Sequence, residues 1–131
     1  MSATLDPNHL PASFFDEDAL EEFMTRPTKA LIDDLLSLDG DIMVLGVGGK
    51  MGPTLARLAR RAAPQKTIIG VSRFTKLGLK EKLENWDVET IKADLMDRGT
   101  LANLPKLKNI IIKHHQIMQN ILLKTGIMKN F

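Results

Sequence analysis

The chain has 131 residues, 44% hydrophobic and 26% charged, with a net charge of +2. This suits one globular domain with a modest core. With no cysteine, disulfide frameworks, thiolate nucleophiles and cysteine metal sites are excluded. An acidic start without an apolar signal core, and the lack of any apolar run of membrane-spanning length, predict a soluble cytoplasmic protein without membrane partners. Five phenylalanines, one tryptophan and no tyrosine give no stacking surface for nucleic acid.

Charge is unevenly spread. Residues 1–41 hold ten acids against Arg26 and Lys29, a net of −8. Residues 42–99 are at +5, and residues 100–131 carry five lysines and no acid. The plain reading is an acidic solvated arm and a basic tail, with which a basic nucleotide-facing region is compatible.

Three parts are expected: an arm with two short helices over 1–40, an α/β unit over 41–112, and a tail over 113–131. Residues 1–13 contain Pro7 and Pro11 and read as irregular. The acid-rich start of 16–24 suits a helix N-terminus. Pro27 suits a first helical position, and Leu31, Leu35, Leu36 and Leu38 give the next helix an apolar side before Asp39-Gly40 ends it. These helices are expected to pack at a sheet edge or on another subunit, with their acids in solvent.

Ile42-Met-Val-Leu45 is a short apolar run bounded by turn signals, the pattern of a strand buried on both faces. Gly46, Gly48, Gly49 and Gly52 follow, and then a run of helix formers over 54–63. A strand, a glycine turn and a helix together aim unpaired helix N–H groups at a phosphate. The spacing G-x-G-x-x-G fails because residue 51 is Met, whereas G-x-x-G-x-x-G fits at Gly46, Gly49 and Gly52. Gly46 would make the turn, Gly49 admit the pyrophosphate and Gly52 let the helix pack closely. A P-loop is set aside because Lys50 precedes Met51 rather than Ser or Thr.

A second strand is predicted over 67–72, a helix over 77–86, a third strand over 88–93, one or two helical turns over 97–104 and a fourth strand from 109 to 112. This alternation predicts an α/β fold, a partial Rossmann-type parallel sheet with flanking helices and an N-terminal helical extension. About 20 residues past the glycines, such folds place an acid on the adenosine ribose 2′-hydroxyl or an arginine beside a 2′-phosphate. Here Ser72 and Arg73 stand there, which favours NADP over NAD. A plainly exposed arginine is the other reading of Arg73.

Gly46-Val-Gly-Gly-Lys-Met-Gly52, Val71-Ser-Arg73 and Ala93-Asp-Leu95 resemble the extended short-chain dehydrogenases/reductases, the NAD-dependent epimerase/dehydratase family, over about residues 41–112. Members of that family often act on nucleotide sugars. The resemblance implies that Asp94 bonds the adenine amino group and Leu95 flanks the ring, while Lys50 and Met51 offer backbone N–H groups to the pyrophosphate. Alternatively, Asp94 caps the following helix.

Two departures bear on activity. The family's fourth strand runs into small residues, whereas here Ile110-Ile-Ile112 meets Lys113-His114-His115. The family's Tyr-x-x-x-Lys pair, in which lysine lowers the tyrosine pKa for proton shuttling, has no counterpart in a chain without tyrosine. The expected function is therefore that of an NAD(P)-binding domain of a nucleotide-sugar-type epimerase, dehydratase or reductase, catalytically incomplete in this chain. A non-catalytic nucleotide-binding or interaction module, or a truncated fragment, is the alternative.

An unpaired sheet edge would favour a homo-oligomer unless the tail covers it. Residues 105–131 lack Ala, Val, Arg, Asp and Glu, a composition that fits a change of reading frame near 109–113. Ile117, Met118, Ile121 and Leu122 have helical spacing. The adjacent His114 and His115 diverge on any regular element and make a poor metal site.

Overall fold

The computed structural model describes residues 4–112. The readings of the tail from Lys113 onward, His114 and His115 included, lie outside the described residues. The elements are α1 (Glu17–Met24), α2 (Lys29–Ser37), β1 (Ile42–Leu45), α3 (Gly52–Ala62), β2 (Ile68–Ser72), α4 (Leu79–Asn85), β3 (Glu89–Lys92), α5 (Arg98–Ala102) and β4 (Asn109–Ile112).

The four strands form one parallel sheet in the order β3-β2-β1-β4. This is an α/β architecture, with the order of the first four strands of a Rossmann-type sheet. In β1 every residue is buried, because it lies between two neighbours and between two covered faces. Ile42 sits beside Ile68 on one side and Asn109 on the other, and Ile69 of β2 pairs with Glu89 of β3. One face packs Ile42, Val44 and Ile68 against Ala56 and Ala59 of α3 and Leu79 and Leu83 of α4. The other packs Met43, Leu45, Ile69 and Val71 against Ala93 and Leu95, flanked by Leu101, Leu104 and Leu107. Crossing from β3 to β4 moves the chain from the first face to the second. Among the described residues β4 pairs only with β1, and its Ile110 is half exposed.

α3 approaches the sheet closely because its inward stripe is Gly52, Ala56, Ala59 and Ala62, all small. Its outward side carries arginines, and there the N-terminal helices dock: α1 and α2 both contact α3. Arg61 explains the placement. Its guanidinium donates to the Glu22 carbonyl (2.7 Å), Thr25 Oγ1 (2.7 Å) and Glu22 Oε1 (2.9 Å), tying the end of α1 to α3. Glu22 is thus no freely solvated acid. Arg26 also grips it, from one turn further along.

Pro27 is likewise not a first helical residue. It is fully buried and precedes Thr28, whose side chain caps α2 by accepting the Leu31 N–H at 3.1 Å. α4 starts two residues later than predicted, because Gly78 takes φ +83° and turns the chain just before it, leaving Leu77 fully exposed.

Candidate functional site

The loops leaving the carboxyl ends of β1, β2 and β3 meet around a groove of about 370 Å3. The first loop contributes Gly46, Gly48 and Gly49; the second Ser72, Arg73, Thr75 and Lys76; the third Asp94, Leu95 and Met96. Ligands of open α/β sheets bind outside the carboxyl ends of strands, and this groove lies there.

The first loop is a chain of tight turns. Gly46 has φ +78°, a conformation that a side chain resists, and its N–H donates to the Val71 carbonyl at 2.9 Å. Gly49 N–H donates to the Gly46 carbonyl, and Gly52 N–H to that of Gly49, each at 3.2 Å. The glycines differ in what requires them. At Gly52 a Cβ would lie 2.6 Å from the Val47 carbonyl carbon, so the close approach of α3 to the preceding turn demands glycine there. Gly52 is buried and does not line the groove. At Gly49 a Cβ would meet nothing nearer than the Gly46 oxygen at 3.6 Å, an ordinary contact. The fold itself leaves that position free, and its open side is the groove.

Gly48 was assigned no role by the glycine spacing, yet it lines the groove, and a Cβ there would run into Ser72 Oγ. The only sequence signal was the Gly46-x-Gly48 pair, discounted because position 51 is Met. Lys50 and Met51 are exposed and do not line the groove with their side chains. Met51 caps α3 without a side-chain hydrogen bond, and among the described residues neither the Lys50 nor the Met51 N–H has an acceptor. The positive end of α3 is therefore left without a side-chain cap at the foot of the glycine turn.

In the second loop Ser72 Oγ accepts the Phe74 N–H at 3.1 Å. Arg73, Thr75 and Lys76 are exposed along the groove, and among the described residues neither Arg73 nor Lys76 is in an ion pair. Thr75 and Lys76 lie outside the motif spacing that singles out Ser72 and Arg73, although Ser72-Arg-Phe-Thr-Lys76 packs four side chains able to donate hydrogen bonds into five positions.

In the third loop Asp94 is exposed, and its Oδ1 accepts the Met96 N–H at 3.0 Å. It does not cap α5. Asp97 does, accepting the Gly99 N–H at 3.0 Å. Leu95 reaches the groove but is mostly core, 4% exposed among Met43, Leu45 and Val71.

Of the nine residues singled out, Gly46, Gly49, Ser72, Arg73, Asp94 and Leu95 thus share one groove, while Lys50, Met51 and Gly52 form the helix start beneath it. Among the described residues Asp94 is the single acid lining a groove that carries two cations, Arg73 and Lys76. Among the described residues no group of three or more His, Asp or Glu side chains is placed to hold a metal, and no helix is long and apolar enough to cross a membrane.

Fold and groove together define an α/β protein with a Rossmann-type strand order and a glycine turn at the end of its first strand. Compared with protein-family models, with curated proteins and with solved structures, the chain matches none.

Proposed function

We propose that the chain binds an NAD(P) dinucleotide, with NADP preferred, as the nucleotide-binding part of an epimerase, dehydratase or reductase of the extended short-chain type. One observation carries this reading: three loops separated by some twenty residues each converge on a single groove, with a glycine cradle at one end and a cationic loop at the other. The groove's size falls in the range of about 300–1,000 Å3 usual for small-ligand sites.

The donor set fits the ligand. Gly49 leaves room for a pyrophosphate, and the Lys50 and Met51 N–H groups at the start of α3 supply donors to it. Arg73, Thr75 and Lys76 suit a ribose 2′-phosphate, which accepts charge-assisted hydrogen bonds. Asp94 has a second carboxylate oxygen for the adenine amino group, and Leu95 offers an apolar edge to the ring. When bound, the nicotinamide supplies hydride transfer, and the residues named above hold the adenosine and pyrophosphate end of the cofactor.

A second reading, a nucleotide-binding module without catalysis, draws support from the lack of any tyrosine to act as the proton shuttle. Calorimetric titration of the purified chain with NADPH and with NADH tests the proposal. Saturable binding, tighter for NADPH, is expected. Absence of heat from either nucleotide, in a chain that melts cooperatively, overturns it. Turnover with nucleotide sugars would then separate the enzyme from the binding module.

A further inference from the structure

Phe74 stands at an unusual point of the second loop. Its φ is +51°, in the left-handed region that bulky side chains avoid. It is also the one residue between Arg73 and Lys76 that does not line the groove. Its ring instead packs against the core cluster formed by Val47, Leu79 and Leu83 with their neighbours. Its N–H is held by Ser72 Oγ at 3.1 Å, and that oxygen in turn lies against Gly48 of the glycine turn. Arg73 and Thr75 thus face the groove on either side of a partly buried phenylalanine that rests on the core.

We propose that Phe74 is a positioning residue for nucleotide selectivity. By anchoring the loop against the core, it presents Arg73, Thr75 and Lys76 together to a phosphate on the adenosine ribose. This inference rests on the NADP reading of the groove. Phe74 itself touches no ligand. Its effect falls on discrimination between nucleotides with and without the 2′-phosphate, since the glycine turn and the Asp94 loop serve both alike.

The test measures NADPH and NADH affinities of the full chain carrying Phe74→Gly, Phe74→Asn or Phe74→Leu. Glycine and asparagine accept the left-handed backbone but remove the anchor. Both variants should lose about tenfold in NADPH affinity, the equivalent of one charge-assisted hydrogen bond, while NADH affinity stays within about twofold. Leucine keeps an apolar anchor and should keep most of the preference. Should the glycine variant lose its cooperative melt, the asparagine variant reads the same ratio. A wild-type chain that prefers NADPH, with a Phe74→Gly or Phe74→Asn variant that prefers it equally, overturns the inference and leaves the proposed function intact. A wild-type chain that binds neither nucleotide overturns the proposed function, and the role of Phe74 with it.

Discussion

Gly52 lies so close beneath Val47 that a methyl group on its Cα would fall 2.6 Å from the Val47 carbonyl carbon and 2.8 Å from its Cα. Both are backbone atoms of the glycine turn that follows β1, so neither can rotate away. The contact sets how near α3 comes to the sheet, and hence where its N-terminus lies relative to the groove.

The sign of the effect at this position is diagnostic. In an exposed helix interior, Gly→Ala gains up to about 1 kcal/mol of helix propensity. At Gly52 the overpacking should outweigh that gain, and Gly52→Ala should destabilise the fold by about 2 kcal/mol, read from the urea midpoint. A stabilised variant would show that the helix can shift.

Gly48 and Ser72 should be coupled. Gly48→Ala forces Ser72 Oγ aside and breaks its bond from the Phe74 N–H. A serine side chain can rotate, so the variant should fold, with a lowered melting temperature. Adding Ser72→Ala removes the clash, and a double-mutant cycle should return a coupling of about 1 kcal/mol. Additive effects would mean that the two do not touch.

Arg73→Ala and Lys76→Ala should each weaken NADPH binding about tenfold and leave NADH binding nearly unchanged, because only the former offers a phosphate to these cations. Raising the salt concentration should narrow the gap between wild type and variants, as both groups are exposed and screened. Equal losses for the two nucleotides would place Arg73 elsewhere in the complex.

Acid should loosen the N-terminal helices. The hydrogen bond from Arg26, the largest effect, holds the Glu22 carboxyl below its ordinary value near 4.5; burial opposes it, and a lesser hydrogen bond from Arg61 reinforces it. A depressed folded-state value means that the stabilisation is present above pH 4.5 and is lost as the pH falls through the lower, folded value. Glu22 is 37% exposed, so solvent keeps the contribution modest. Urea midpoints of wild type and Glu22→Gln should differ at neutral pH and converge in acid. A gap independent of pH would mean that the carboxylate charge plays no part.

The sheet was largely legible from the chain. Ile42-Met-Val-Leu45 has no polar residue to place on a solvent side, so it had to be buried on both faces, and it is the central part of the sheet. The glycine cluster marked the turn after it, and Arg73 pointed to the wall of the groove. What stayed hidden depends on the path of loops or on distant partners. Thr75 and Lys76 line the groove beyond the end of β2, and nothing in the letters announces a left-handed phenylalanine between them and Arg73. Glu22 looked like any surface acid because its partner Arg61 is 39 residues away. Pro27 looked like a helix start, but Thr28, one residue later, has the hydroxyl that a cap requires.

The central claim is that a dinucleotide lies across the glycine turn and the Ser72–Lys76 loop. An amide-resolved NMR titration of the 15N-labelled chain with NADPH tests it most directly. The account predicts saturable shifts concentrated at Gly46, Gly48, Gly49, Lys50 and Met51 and from Arg73 to Lys76, with those of the second group reduced when NADH is used. Shifts confined to another part of the surface, or none at saturating nucleotide, would contradict it.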